Sequence, residues 1–186
     1  MGKVISLINT TPDGFADGHY TIADAEFFEF THSILADIST VAFGRNSFDL
    51  FQKIWPPRLK KENATEWQVK MANALTDIPK VVYSSTLTTT IWGNSTIVKR
   101  IDVEYINSYK QKGKKGLLTL ASPNLVAALT EMKLIDDYYF CIQPLLAGNG
   151  SVRLFDKVKL NEPRPLRYVD SKQLKSGVHI IHYQSV

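Results

Sequence analysis

Apolar residues in this chain follow two spacings, short β-rich runs and longer stretches that recur every three or four positions. Val4-Ile5-Ser6-Leu7-Ile8 reads as a first strand. Thr21 with Asp24 three positions on is a capping-box pattern, predicting a helix with Ala25, Phe28 and Leu35 on one face. Thr40-Val41-Ala42-Phe43 predicts a second strand ending at Gly44-Arg45. A short helix to about Gln52 follows, and Trp55-Pro56-Pro57 is expected to break it because proline removes helical N–H donors. Residues 63–76 repeat helically through Trp67, Met71, Ala74 and Leu75. Lys80–Tyr83 and Thr96–Val98 read as strands. Asp102 then caps a helix with Val103, Ile106 and Tyr109 expected inward and Gly113 at its end.

The second half continues the alternation. Residues 116–121 predict a strand, 122–132 a helix and 138–142 a strand, and 166–169 with 178–183 form a candidate hairpin. Strands separated by helices of about a dozen residues require parallel crossovers, and a closing strand pair requires an antiparallel edge. The expected fold is therefore α/β: a mixed, mostly parallel sheet flanked by helices, with an antiparallel C-terminal hairpin. No internal repeat or linker composition interrupts it, so residues 1–186 are expected to form a single domain.

Composition narrows the classes. Hydrophobic residues make up 44% and charged residues 22%, ordinary for a globular chain. The single cysteine, Cys141, excludes an intrachain disulfide and sits in the apolar run Tyr139–Ile142, which suits a reducing, cytoplasmic setting. The net charge of +4 is too small and too dispersed for a nucleic-acid footprint; the runs around Arg58, Lys60, Lys61 and Lys110–Lys115 read as solvated ends. The start has no signal-peptide pattern and no apolar run approaches the ~20 residues of a membrane span, so neither nucleic acid nor membrane is an expected partner.

Three strand ends run into helix starts or polar turns: Phe43-Gly44-Arg45-Asn46-Ser47, Tyr83-Ser84-Ser85-Thr86 and Leu120-Ala121-Ser122-Pro123-Asn124. Ligands of open α/β sheets lie at strand carboxyl ends, where helix N-termini offer N–H donors to phosphate. Arg45 adds a cation and Ser84, Ser85 and Thr86 add hydroxyls, together suited to a dinucleotide with an extra phosphate. Each also has a plain structural reading: Ser122-Pro123 is a good helix start, and Gly44 ends a strand. Pro12-Asp13-Gly14 is a turn signal, readable as a surface turn or as a loop over a ligand, and Pro144–Gly150 is a similar glycine turn. No phosphate-loop or hydrolase motif is present. The four histidines, His19, His32, His179 and His182, are scattered and define no metal site.

Taken in order, Pro12–Phe15, Phe43–Ser47 with Trp55-Pro56, Pro79–Leu87, Leu134–Asp137, Pro144–Gly150 before Leu154-Phe155, and Gly177–Tyr183 resemble one family. It is the dihydrofolate-reductase-like superfamily, in particular the reductase domain of the bifunctional riboflavin-biosynthesis deaminase–reductase and its stand-alone bacterial relatives. The resemblance implies an NADPH-dependent reductase of a small pyrimidine- or pteridine-like heterocycle, related to 5-amino-6-(5-phosphoribosylamino)uracil reductase, and commonly a homodimer. It places the cofactor on Gly44, Arg45, Asn46 and Ser47, on Ser84, Ser85 and Thr86, and on Ala121, Ser122, Pro123, Asn124 and Leu125. The substrate would meet Asp13, Gly14, Phe15 and Phe28, with Asp13 and Glu29 orienting it or relaying a proton. Two departures stand out, Ala121 before the last helix start where relatives carry glycine and Ser47 where they carry threonine; besides these, Phe28 lies near the position where folate reductases carry a carboxylate, with Glu29 beside it. A nucleotide-binding protein without catalysis and a folate reductase are the competing readings.

Overall fold

The computed structural model describes residues 2–156 and 158–186, with all their side chains except that of Lys112. Eight strands form one sheet in the order β4-β3-β2-β5-β1-β6-β8-β7. They are β1 (Val4–Thr10), β2 (Ile38–Gly44), β3 (Lys80–Tyr83), β4 (Ser95–Val98), β5 (Gly116–Leu120), β6 (Asp137–Ile142), β7 (Leu166–Gln173) and β8 (His179–Ser185). Pairings from β4 through to β6 are parallel, while β8 runs antiparallel to both β6 and β7. The mixed, mostly parallel sheet and its antiparallel hairpin are thus as the patterning implies.

The helices are α1 (Ala25–Leu35), α2 (Arg45–Arg58), α3 (Glu66–Asp77), α4 (Val103–Lys112) and α5 (Pro123–Glu131). Side chains alternate across the central strands, so each face of the sheet gathers its own core. Val41, Phe43, Leu118 and Leu120 pack with Phe27, Phe48, Met71 and Leu75 on the side of α1, α2 and α3. Ala42 and Leu117 join Ile106, Leu125, Val126 and Leu129 on the side of α4 and α5. Each large side chain fully buried here contributes roughly 1.5–3 kcal/mol, which makes β5, buried along its whole length, the spine of the fold.

Three local expectations need correction. Helix α1 is capped by Asp24, whose carboxylate accepts from Phe27 N at 2.9 Å; Thr21 instead closes a short 3-10 turn at Gly18–Tyr20. The buried stripe of α1 is therefore Phe27, Thr31 and Leu35, and Ala25 is exposed. Helix α2 runs through Pro56 and Pro57 to Arg58. The prolines fall in its last turn, where the bonds they forfeit belong to half-buried Gln52 and exposed Lys53, beside water, while buried Trp55 anchors the turn. In α4 Asp102 caps Tyr105 N at 2.9 Å and Ile106 is inward as expected, but Val103 is exposed.

Lys80, at the start of β3, is buried, and its Nζ donates to the carbonyls of Leu75 (2.8 Å), Thr76 (3.1 Å) and Ile78 (2.8 Å). It closes the C-terminus of α3 from inside the core, and Trp92 covers it with its ring centroid 4.7 Å away. Burial pushes its pKa down to about 8, against the opposing pull of Asp77.

Candidate active site

A cleft of about 750 Å³ opens at the carboxyl ends of β1, β5, β2 and β3. Two helices begin on its rim. Gly44 and Ser122 precede α2 and α5 as their N-caps, and neither supplies a side-chain cap to its helix. The Ser122 hydroxyl is spent elsewhere: it accepts from Gly44 N at 3.2 Å and donates to Leu120 O at 3.2 Å. Ser47 Oγ donates to Ala121 O at 2.5 Å, tying the two helix starts together. First-turn N–H groups have no intrahelical acceptor, and each helix start carries roughly half a positive charge. Two such starts open on one cleft with Arg45 beside them, a set of N–H donors and positive charge suited to an anionic group.

The cofactor-side expectations divide. Gly44, Arg45, Asn46, Ser47, Ala121, Ser122, Pro123, Asn124 and Leu125 all line the cleft. Ser84, Ser85 and Thr86 do not. The Ser84 hydroxyl accepts from Thr86 N (3.3 Å) and Leu87 N (2.9 Å), which shapes its own turn. Thr86 reaches the site only through Arg45, whose Nη1 donates to Thr86 Oγ1 at 2.8 Å while Nε lies 3.6 Å from Asp49. Beyond α5's first turn the cleft is apolar, walled by Tyr83, Ile101, Leu125 and Ala128. Burial, with Tyr105 and Asp102 adding to it, pushes the Tyr83 phenol up to about 12, so it stays neutral.

Ala121 adopts φ +47°, a left-handed conformation that an L side chain resists. It is held there by its N–H to Leu7 O (3.1 Å) and by the Ser47 bond to its carbonyl. The departure from glycine that the resemblance implies thus falls on the residue whose backbone must turn between β5 and α5.

On the substrate side the expected acids are not in the cleft. The Asp13 carboxylate accepts from Ala147 N (3.1 Å) and Gly148 N (2.8 Å), binding the turn after β1 to the loop at 144–152. The Thr11 hydroxyl and the Gly148 N–H hold its pKa down to about 2. Gly14 and Phe15 face the segment just after this loop, through Leu154 N to Gly14 O (2.8 Å) and a bridge between Phe15 and Arg153. Asp13 is a loop clamp because Pro-Asp-Gly turns it away from the sheet end. Glu29 is exposed, since Phe27 and Thr31 take the buried stripe of α1; Phe28, as expected, lines the cleft.

The acid that does line the cleft is Asp17, absent from the sequence reading because nothing in its spacing marks it. Its carboxylate accepts from Ser151 N (2.9 Å) and Val152 N (3.1 Å). Burial works to raise its pKa, but the Ser151 hydroxyl and these N–H groups outweigh it and keep the carboxyl ionised. Gly150 makes the contact possible: a Cβ there would stand 2.6 Å from Asp17 Oδ2 and 2.6 Å from the Phe15 ring. Sequence patterning also missed the wall built by Phe51, Trp55, Trp67 and Met71, which the helical spacing identifies only as core. Among the described residues no cluster of three or more His, Cys, Asp or Glu side chains could hold a metal ion.

Residues 3–180 match the RibD C-terminal domain family. The chain belongs to that family. Its members are built on a reductase domain related to riboflavin biosynthesis, so membership points to oxidoreductase chemistry. The chain is 25% identical over 187 residues to the uncharacterized protein YyaP of Bacillus subtilis, covering 97% of this chain and 94% of that one. Among solved structures it is similar to a putative riboflavin biosynthesis protein from Shewanella sp. PV-4, with a TM-score of 0.72 at 18% identity over 99% of both chains. It is also similar to dihydrofolate reductase from Enterococcus faecalis complexed with NADP(H), with a TM-score of 0.61, 11% identity and coverage of 99% and 96%. These similarities establish the dihydrofolate-reductase-like fold. Among the described residues no helix is long and apolar enough to cross a membrane.

Proposed function

We propose that the protein is an NADPH-dependent reductase of a small heterocycle, transferring hydride to a C=N or C=O carbon. The observation that carries this reading is the pair of helix starts, α2 and α5, with no side-chain cap, opening onto one cleft beside Arg45. The donor set fits the dinucleotide: N–H groups of Asn46, Ser47, Asn124 and Leu125 for the diphosphate, Arg45 with Thr86 for the extra phosphate, and the apolar wall of Tyr83, Ile101 and Ala128 for a base. Bound NADPH supplies the hydride; the chain supplies orientation and electrostatics. Asp17 ties the 144–152 loop across one side of the cleft as an ionised group, so the proton that follows the hydride comes from solvent. The single buried cysteine suits a reducing cytoplasm, and the exposed edge strand β7 is the natural surface for a homodimer.

A titration with NADPH and NADH, followed through Trp55, Trp67 and Trp92 fluorescence, tests the reading. Saturable NADPH binding, at least tenfold weakened in Arg45→Ala, is expected, a loss of about 1.4 kcal/mol. Absence of binding to either nucleotide refutes it. The absence of any α1 carboxylate from the cleft, together with the strained Ala121, favours a second reading, a nucleotide-binding protein without turnover, which predicts cofactor binding but no oxidation of NADPH with any heterocycle. A folate reductase is disfavoured because α1 presents Phe27, Phe28 and Thr31, and no carboxylate, to the cleft.

A further inference from the structure

The carboxyl end of β1 carries an amide that the fold has oriented and left half used. Gln143, 1% exposed, follows β6 directly and stands beside Asn9, the next-to-last residue of β1. Its Oε1 accepts from Ile22 N at 2.8 Å, while its Nε2 donates to Asn9 Oδ1 at 3.0 Å and reaches Cys141 O at 3.4 Å. A backbone N–H can only donate, so the bond from Ile22 decides which end of the Gln143 amide is oxygen, and that in turn decides Asn9. The backbone holds the pair in place: Asn9 lies opposite Cys141 in the parallel register of β1 and β6, and Gln143 N donates to Thr10 O at 2.8 Å. With Oδ1 taken, Asn9 turns Nδ2 away from Gln143. Asn9 is half-buried and lines the cleft, and among the described residues no acceptor is hydrogen-bonded to Nδ2. The other groups at this end offer no such donor: Ile8 is apolar, and the Asp17 carboxylate is taken up by Ser151 N and Val152 N.

Strand order says what this donor meets. The cleft crosses the strand ends in the order β3-β2-β5-β1. On the reductase reading, on which this inference rests, a base and the extra phosphate belong at the β3 side, by Tyr83, Ile101 and Thr86, and the diphosphate belongs at the α2 and α5 starts after β2 and β5. That leaves the end of β1, one strand spacing of about 4.8 Å beyond β5, to the nicotinamide. We infer that Asn9 recognises the nicotinamide, its Nδ2 donating to the carboxamide oxygen, and that Gln143 is the positioning residue that holds the amide in its donating orientation. An amide N–H half-removed from water with no partner is costly, and a carbonyl oxygen of the ligand is a group that relieves it. A ring held by its carboxamide cannot turn about its bond to ribose. Asn9 shares its face of β1 with Leu7, the side of α1, so the contact fixes which face of the ring is presented there.

The test is a titration of the intact protein, followed through tryptophan fluorescence, with NADPH and with 2′-phospho-ADP-ribose, which keeps both phosphate groups and lacks the nicotinamide. Asn9→Asp keeps the acceptor for Gln143 and replaces the free donor with an oxygen. It should weaken NADPH about tenfold and change the 2′-phospho-ADP-ribose Kd by less than about twofold. Gln143→Met removes the holder at similar volume and should weaken NADPH about threefold or more with the same selectivity, whereas a merely structural role would weaken both ligands alike. The unmodified protein supplies a further measurement that no folding defect can obscure. The reduced 3-acetylpyridine analogue, which keeps the carbonyl oxygen, should bind as NADPH does, and the thionicotinamide analogue, a poorer acceptor, about tenfold more weakly. An NADPH Kd that Asn9→Asp does not move, an equal loss for 2′-phospho-ADP-ribose, or a thionicotinamide analogue bound as tightly as NADPH overturns the inference and leaves the reductase reading standing. Failure of the unmodified protein to bind either nucleotide overturns both.

Discussion

Replacing Ala121 with glycine tests the strain at the proposed cofactor cradle directly. Ala121 sits at φ +47° between β5 and α5. The left-handed conformation costs an L-residue about 1–2 kcal/mol. Glycine removes that cost but adds about 0.5–1 kcal/mol of unfolded-state entropy. The difference leaves Ala121→Gly stabilising by about 0 to 1.5 kcal/mol. For a chain of this length that raises Tm by roughly 0–6 °C. At an unstrained position the same substitution destabilises, by about 0.5–1 kcal/mol, so the sign alone separates the two cases. Thermal denaturation of the two proteins side by side reads the stability, and calorimetry reads the NADPH Kd. Loss of the methyl at the cradle should leave the cofactor bound as tightly or more tightly. A lower Tm together with weaker NADPH binding would refute both the strain and its placement beside the diphosphate.

Other substitutions probe the remaining elements. Asp137, buried at the start of β6, is held by Lys3 (2.9 Å), His182 (2.8 Å) and Gln184 (2.8 Å), so Asp137→Ala should cost about 3–5 kcal/mol in urea unfolding. Burial alone would raise its pKa, but these three partners lower it below the ordinary 3.8; the stability it adds is therefore full above pH 4 and lost as pH falls through the lower folded value, visible as acid unfolding that Asp137→Asn does not share. Gly150→Ala should loosen the 144–152 loop, because a Cβ meets Asp17 and Phe15 at 2.6 Å; limited proteolysis should cut there first, and resistance equal to the unmodified protein would contradict the packing. Glu29→Gln should change turnover less than twofold (about 0.4 kcal/mol), since Glu29 faces solvent; a large loss would return it to the active site.

Local rules decided much of this molecule before any packing. The period of apolar residues located the eight strands and five α-helices, though not the start of α1, the end of α2 or the 3-10 turn at Gly18–Tyr20, because a strand must alternate and a helix must repeat to bury one side. Gly44-Arg45 and Ser122-Pro123 marked the two helix starts that line the cleft, because a strand end followed by a helix start is a local feature and its N–H groups need no distant partner. Tertiary structure decided the rest. Asp13 and Asp17 are both acids in the turn after β1, and only the path of the 144–152 loop made one an outward clamp and put the other on the cleft. Glu29 and Thr31 differ by two positions on α1, about 200° around the helix, and it is the packing of Phe27, Thr31 and Leu35 against the sheet that turns one inward and leaves the other in solvent. The aromatic wall is the clearest case. Phe28, Trp55 and Trp67 lie on three helices, and their spacing says only that each is apolar; that they meet around an open cavity and not in a filled core depends on how α1, α2 and α3 lean together over the sheet.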